Sequence, residues 1–289
     1  MRVSESMTSK GCIFDIRRYA IHDGPGIRLN VFFKGCPLHC QWCHNPEGQD
    51  PEPVVMFNRT RCLSCGACQD HTLPDACPSG ALETCGKCME TGEILELALR
   101  EKLFFDRSGG GITCTGGEPL MQPEFLVSLL AACKENNIHT AVDTCLYTPE
   151  KVVQQVIPYT DLFLADLKAM NPALHKQYTG ADNALIHSNL RTVAHSRVPF
   201  ALRIPLIPGV NDTKTELEAM AAFALELQRA GNLTTIHLLP YHDYGKEKRS
   251  RILRGRAPFQ GNFSSPPEKQ VRAILNDFHR QGLPAFRGG

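Results

Sequence analysis

This chain has no excess of charge of either sign: 31 Lys and Arg stand against 30 Asp and Glu, a net charge of +1 at pH 7. Without a basic surplus the protein as a whole is not drawn to nucleic acid or anionic lipid, so any partner must be recognised by local surfaces. No apolar run approaches the ~18–20 residues of a membrane span. The opening stretch "MRVSESMTSKGCIFDIRRYAIHDG" carries charges where a secretory signal needs its apolar core. The cytoplasm is therefore the expected location, and neither membrane nor nucleic acid is expected as a partner. There is no internal repeat of fixed period and no low-complexity tract. What remains is a globular chain of 289 residues with 42% apolar content, enough for one large domain or one domain with an insertion.

Cysteine, by contrast, is abundant. There are 13, and ten of them (Cys36, Cys40, Cys43, Cys62, Cys65, Cys68, Cys77, Cys85, Cys88 and Cys114) lie between residues 36 and 114. In a reducing compartment they are poor disulfide candidates, and their clustering points to metal. Cys36, Cys40 and Cys43 share one short loop, "GCPLHCQWCHNP" (35–46). A structural zinc site is closed by four protein ligands, usually in paired C-x2-C units. Three thiolates spaced C-x3-C-x2-C suit a cubane iron–sulfur cluster with one iron left open to a substrate. A zinc knuckle completed by His39 or His44 is the alternative.

The rest of the chain alternates regularly. Strands are expected at "RLNVFF" (28–33), "ITCT" (112–115), "IHTAVDT" (138–144), "DLFLADL" (161–167), "FALRIPL" (200–206) and "TIHLLP" (235–240). Helices are expected over 93–105, 124–137, 150–157, near 183–195 and 212–230, and last near 266–281, after a mobile loop starting at 255. Strands followed by helices argue for parallel pairing through right-handed crossovers. The expected fold is α/β, a partial (β/α)6 barrel of the TIM type, in which chemistry gathers at the C-terminal ends of the strands. The unusual residues obey that rule: the cysteine loop, "GGEP", "DTC", "DLK", "PLIPG" and "LLPYH" each follow one of the six strands.

Residues 52–92 break the alternation. They are rich in Cys, Gly, Pro and Thr and resemble a small inserted module whose own core needs a staple such as metal. The expected division is therefore 1–51 with 93–289 as the barrel, and 52–92 as the insert. "CLSCGAC" (62–68) followed by "CPSGAL" (77–82) is a ferredoxin-type C-x2-C-x2-C…C-P pattern. It places one auxiliary 4Fe-4S cluster on Cys62, Cys65, Cys68 and Cys77, to relay electrons or to dock a partner, and leaves Cys85 and Cys88 as spare thiols or ligands for something else. Cys12, Cys114, Cys133 and Cys145 read as structural core residues.

Several other residues keep two readings each. In "GGEP", Gly116 and Gly117 offer open backbone, and Glu118 suits an ammonium group or a helix cap before Pro119. Asp166 and Lys168 alternate along a strand end with Leu167 turned away, so they either share a site or form a surface pair. His242 is a ligand contact or an ordinary loop histidine, and the basic run "GKEKRSR" (245–251) is a solvated face or a docking patch.

C-x3-C-x2-C with Trp42 before its last cysteine, followed by "GGEP" after the next strand, resembles the radical S-adenosylmethionine superfamily. With "HDGPGIR", "FFKGCPLHCQWCHNP", "SGGGITCTGGEPLMQ", "FLADLK", "LRIPLIPGVND" and "LLPYHDYGKEK", residues from about 12 to about 255 resemble the glycyl-radical enzyme activating enzymes, relatives of the pyruvate formate-lyase activase. The resemblance implies an oxidoreductase of the formate C-acetyltransferase-activating type. It would cleave S-adenosylmethionine reductively on a site-differentiated 4Fe-4S cluster, giving a 5'-deoxyadenosyl radical that takes hydrogen from a backbone glycine of a large partner enzyme. It implies Cys36, Cys40 and Cys43 as cluster ligands and, together with Lys168, as the catalytic set. Trp42, Gly116, Gly117, Glu118, Asp143, Asp166, Lys168, Arg203 and His242 are the implied cofactor contacts. A monovalent cation is implied at Asp143, where the sequence departs from the family by carrying Cys145 and Leu146. Relatives with a two-cluster insert need eight cysteines there, whereas this insert has six. A flavodoxin or ferredoxin is the implied reductant, and a monomer is expected. The competing classes are a radical enzyme acting on a small molecule and a non-catalytic electron carrier or scaffold.

Overall fold

The computed structural model describes residues 9–69, 71, 74–253 and 261–288. The chain opens with β1 (Lys10–Ala20) and β2 (Arg28–Phe33), followed by the short strands β3 (Val54–Phe57), β4 (Leu82–Cys85) and β5 (Lys87–Glu90). Helices α1 (Thr91–Arg100) and α2 (Lys102–Ser108) lead into β6 (Gly111–Gly116), α3 (Pro123–Glu135), β7 (His139–Thr144), α4 (Glu150–Val156) and β8 (Leu162–Asp166). The chain continues through α5 (Pro172–Thr179), α6 (Ala184–His195), β9 (Phe200–Leu206), α7 (Lys214–Ala230), β10 (Leu233–Pro240), α8 (Tyr244–Arg251), α9 (Glu268–Arg280) and β11 (Ala285–Arg287).

One open sheet of nine strands runs in the order β11-β10-β9-β8-β7-β6-β2-β1-β5. From β2 to β11 every neighbouring pair is parallel, while β1 pairs antiparallel with both β2 and β5. All six strands expected from the sequence are present, and the reason is visible in their burial. β2 is buried at every position, and β6 at all but its last. Strands covered on both faces are dominated by apolar and β-branched residues, as here, where Arg28, Asn30, Thr113 and Thr115 are the buried polar exceptions in β2 and β6. The helices supply the cover through residues such as Leu126, Leu129 and Leu130 of α3 and Met220, Ala224 and Leu227 of α7.

Four features differ from expectation. The helix over 93–105 is two helices that meet at the buried Glu101, which pairs with Arg18 of β1. β1 extends the sheet antiparallel; its far end, Arg17 to Tyr19, is exposed and carries no alternation to betray a strand. β5 lies inside the expected insert 52–92, yet it is an edge of the main sheet, so the segment standing apart ends with the β3–β4 hairpin. The basic run 245–251, for which no helix was expected, lies in α8. Of the loop expected from 255, residues 255–260 lie outside the described residues.

Candidate active site

The C-terminal ends of the parallel strands surround one cavity. Cys36, Cys40 and Cys43 line it beside Gly116 and Gly117 after β6, Asp143 and Cys145 at the end of β7, Asp166 and Lys168 after β8, and Arg203 on β9. Leu38, Ile207, Leu239 and Tyr241 provide an apolar wall.

The cysteine loop is fixed through its backbone. Gly35 N–H donates to Gly48 O (2.8 Å), Cys36 N–H to Gln49 O (3.0 Å), and His39 N–H to Thr179 O of α5 (2.7 Å). Beneath the loop Lys34, fully buried, donates from Nζ to Glu47 O (2.7 Å). Trp42 is buried against Tyr178 and Phe263, with ring centroids about 6 Å apart. The glycine pair closes against the same loop: Gly117 N–H donates to Phe33 O (2.8 Å) and Glu118 N–H to Gly35 O (2.7 Å). Gly116 has φ +116°, and a Cβ there would stand 2.4 Å from Phe33 N, so only glycine fits.

Glu118 does not reach the cavity. Its side chain is 0% exposed and accepts hydrogen bonds from Leu120 N–H (3.1 Å), Thr144 Oγ1–H (2.7 Å) and Cys145 N–H (2.7 Å). Both of its oxygens are therefore taken up inside the protein. In this structure it braces the β6 and β7 loops against each other. Burial raises its carboxyl pKa, and the three donors oppose that rise.

Arg203 is the electrostatic centre. Its Nη2 donates to His22 O and Asp23 Oδ1 (both 2.9 Å), and its Nη1 lies 3.2 Å from Asp143 Oδ2. Nε is buried without a partner, an orphan donor beside the cavity. Thr115 Oγ1–H also donates to Asp143 (2.7 Å), so the carboxylate expected to hold a cation already has an arginine and a hydroxyl. Burial pushes the Asp143 carboxyl up to about 6 against the pull of Arg203. Asp166 and Lys168 form an ion pair, while Leu167 is buried in the core. His242 is not among the lining residues. Its ring stacks on that of His44 at 3.8 Å and packs on Tyr244 at 4.4 Å, leaving Nδ1 buried without a partner.

The donor set fits a cluster better than a single ion. Among the described residues no three His, Cys, Asp or Glu side chains converge on one ion position. His39, the other candidate fourth zinc ligand, is exposed on the α5 side of the loop. A cubane, in contrast, holds its thiolates spread around a box of atoms. Burial pushes the Cys43 thiol up to about 11 and the Cys40 thiol higher still. Such thiols lose their protons only to a strongly bound cation, as metal ligation supplies.

Sequence reasoning missed three groups. Cys145, taken as core and indeed buried, also lines the cavity beside Cys36. Asp23 of "HDGPGIR" holds Arg203; its place within a shared motif was the only signal. Helix α8 lies directly on the cysteine loop. Lys248 Nζ donates to Asn45 Oδ1 (2.9 Å) and Glu47 Oε1 (2.7 Å), and a Cβ on Gly245 would stand 2.0 Å from Cys43 O. The far end of α8 meets the hairpin through Arg251–Glu83 (2.9 Å) and Leu253 N–H to Val55 O (3.0 Å).

Within the insert, Cys62, Cys65, Cys68 and Cys77 line a second cavity with Arg59 and His71. Ser64 N–H points at Cys62 Sγ and Leu82 N–H at Cys77 Sγ (both 3.4 Å), an arrangement that favours thiolates, and the Leu82 contact lowers the Cys77 pKa. Cys85 and Cys88 do not join them. Cys85 faces Lys34, and Cys88 sits opposite Cys12 across the β1–β5 pair.

The radical SAM superfamily profile matches residues 30–224. The chain is 40% identical to the choline trimethylamine-lyase activating enzyme of Oleidesulfovibrio alaskensis, over 93% of this chain and 96% of that protein. It is also 40% identical to the (2S)-3-sulfopropanediol dehydratase activating enzyme of Klebsiella oxytoca, over 82% and 84% respectively. A solved domain of the pyruvate-formate lyase-activating enzyme from Bacteroides vulgatus superposes with a TM-score of 0.53 at 35% identity, covering 62% of this chain and 99% of that one. A sequence carrying these motifs in order, folded so that the three loop cysteines line one cavity at the strand ends and related to such proteins over nearly its whole length, belongs to the radical SAM superfamily and, within it, to the glycyl-radical enzyme activating enzymes.

Proposed function

We propose that the cavity at the strand ends holds a 4Fe-4S cluster on Cys36, Cys40 and Cys43, with S-adenosylmethionine beside it, and that the parallel strands form a partial (β/α)6 barrel carrying a ferredoxin-like insert. The observation that carries this reading is the convergence of three loop thiols, the Asp166–Lys168 pair and Arg203 on one cavity. When bound, the reduced cluster and S-adenosylmethionine together supply a 5'-deoxyadenosyl radical able to take hydrogen from a glycine Cα.

The protein's part is position and exclusion. The backbone of Gly116 and Gly117 offers carbonyls to the methionyl amine, and Lys168 and the free Nε of Arg203 offer donors to its carboxylate. Asp166 keeps Lys168 charged and aimed. The wall of Leu38, Ile207, Leu239 and Tyr241 suits an adenine ring and keeps water from a reactive radical. Asp143 serves Arg203, and a cation there would have to compete with it. His242 acts on the cofactor only through His44, which lines the cavity.

The four insert cysteines fit an auxiliary 4Fe-4S cluster, reduced by a cytoplasmic flavodoxin or ferredoxin. The exposed Leu63 beside Cys62 and Cys65 gives such a donor an apolar contact. The partner is a large glycyl-radical enzyme. Identity of 40% over nearly the whole chain to an activator of a choline lyase, against 35% over a domain of a pyruvate formate-lyase activator, favours a lyase or dehydratase partner over a formate C-acetyltransferase.

The test is anaerobic reconstitution with iron and sulfide, reduction by dithionite and assay of 5'-deoxyadenosine. The wild type should hold about eight irons, and Cys36→Ala/Cys40→Ala/Cys43→Ala about four, with product from the wild type alone. Zinc in place of iron, or no product from a fully loaded chain, would refute the reading.

A further inference from the structure

One polar side chain lining the cavity is still without a task. Gln49 is 3% exposed, and its carboxamide has no hydrogen-bond partner among the described residues. Buried polar groups ordinarily have one, so an open carboxamide beside a cavity points to a ligand. Its backbone, by contrast, is firmly held. Gln49 N–H donates to Pro46 O (3.2 Å), and Gln49 O accepts from Cys36 N–H (3.0 Å). The residue before it abuts the glycine pair: Gly48 O accepts from Gly35 N–H (2.8 Å) and would stand 2.4 Å from a Cβ on Gly117. The side chain therefore starts from a fixed point close to both Cys36 and Gly117.

The chemistry of the cavity decides which atom of the carboxamide is needed. Other acceptors around it already serve another group: Asp166 pairs with Lys168, Asp143 with Arg203 and Thr115, and Asn45 Oδ1 accepts from Lys248. Glu118 uses both oxygens inside the protein. Donors are in better supply, from Lys168 and the free Nε of Arg203. The methionyl end of S-adenosylmethionine carries a carboxylate, which takes donors, and an amine, whose N–H groups need acceptors. A carboxamide offers an oxygen that accepts and an NH2 that donates, and without a partner it can turn either one to the cavity. The acceptor is the one the cavity lacks.

Resting on the cofactor assignment above, we propose that Gln49 is a cofactor-binding residue whose Oε1 accepts a hydrogen bond from the methionyl amine of S-adenosylmethionine, beside the backbone carbonyls of Gly116 and Gly117. Its backbone contact with Cys36 ties that acceptor to the loop proposed to carry the cluster, so one turn of chain sets both the amine contact and a ligand thiol.

The experiment is anaerobic calorimetric titration of the reconstituted full chain with its clusters oxidised, so that no cofactor is consumed. Wild type is compared with Gln49→Met, which is close in size but makes no hydrogen bond, and with Gln49→Glu, which keeps an acceptor and loses the donor. At unchanged iron content, Gln49→Met should bind S-adenosylmethionine about 10- to 100-fold more weakly, and Gln49→Glu should recover most of that loss. The desamino analogue of the cofactor, which has hydrogen in place of the amine, should bind Gln49→Met and wild type alike. Unchanged affinity for S-adenosylmethionine in Gln49→Met, no recovery in Gln49→Glu, or an equal loss for cofactor and analogue would each overturn the amine contact. A wild type that holds its iron yet binds no S-adenosylmethionine would instead overturn the cofactor assignment on which the contact rests.

Discussion

Replacing Glu118 separates two accounts of the same residue. If its carboxylate gripped the cofactor's amine, Glu118→Ala would leave the empty protein's stability nearly unchanged and abolish S-adenosylmethionine binding. The structure makes the opposite prediction. Alanine strands three buried donors, the N–H groups of Leu120 and Cys145 and the hydroxyl of Thr144. Each unmet donor costs roughly 1–3 kcal/mol, and the hydroxyl can turn to recover part of its share. The sum is about 3–6 kcal/mol, a large part of a domain's net stability. Glu118→Gln keeps the oxygen that serves Thr144 and Leu120 but turns an NH2 toward Cys145 N–H, so its cost is about 1–3 kcal/mol. Urea unfolding of the apoprotein gives these values directly, and calorimetric titration with S-adenosylmethionine gives affinity in the loaded protein. A Glu118→Ala variant within about 0.5 kcal/mol of wild type in unfolding, yet unable to bind the cofactor, would refute the brace and restore the amine contact.

Other substitutions test other contacts. Gly245→Ala places a methyl group 2.0 Å from Cys43 O and must lift α8 from the cysteine loop; a loss of about 1–3 kcal/mol and faster proteolysis within 244–251 are expected in thermal melts and limited digestion. Arg203→Met leaves Asp143 and Asp23 without their shared partner, at a cost of about 3–5 kcal/mol. Because burial already holds Asp143 near 6 even with the arginine present, the variant should take up a proton around neutral pH, measurable by potentiometric difference titration. Cys62→Ala/Cys65→Ala should bring iron down by about four per chain while the signal that responds to S-adenosylmethionine persists. Cys12 and Cys88 face each other in β1 and β5, and Cys12 turns its backbone N–H and C=O away from β5, toward Gln122 and Lys34. That makes them a non-hydrogen-bonded pair with Cα atoms about 4.5 Å apart, within disulfide reach. Mild oxidation should join them with loss of two hydrogens in the intact mass, and Cys88→Ser should prevent it.

What the sequence made legible follows the physics of each element. The parallel strands announced themselves through short runs of apolar and β-branched residues bounded by turn residues and separated by helical stretches. The loops after them could be gathered at one end of the sheet by topology alone. β1 and α8 were not legible in this way: a strand half exposed at a sheet edge and a helix of charged residues owe their places to distant partners, Cys88 and Glu47 among them. Side-chain direction was the least accessible. Glu118, Cys145 and His242 each stand within a residue or two of the cavity, and which of them faces it is decided by backbone turns such as the left-handed Leu146. Pattern can place a residue near a site, but only tertiary packing decides which way it points.

The clasp between α8 and the cysteine loop bears on the order in which the protein can be completed during synthesis. Glu47 meets Lys248 across 201 positions of chain, and Asp23 meets Arg203 across 180. Domains form as the ribosome delivers them, N-terminal parts first. The four cysteines proposed to hold the auxiliary cluster lie within residues 62–77 and are all present early. The loop of Cys36, Cys40 and Cys43 acquires its clasp only when almost the whole chain has emerged. Iron delivered to a growing chain would therefore meet the complete set of insert thiols and a barrel loop still without its clasp. A ribosome-stalled chain ending near residue 235 should load the first and not the second, and equal loading of both would show that the clasp is not needed for assembly.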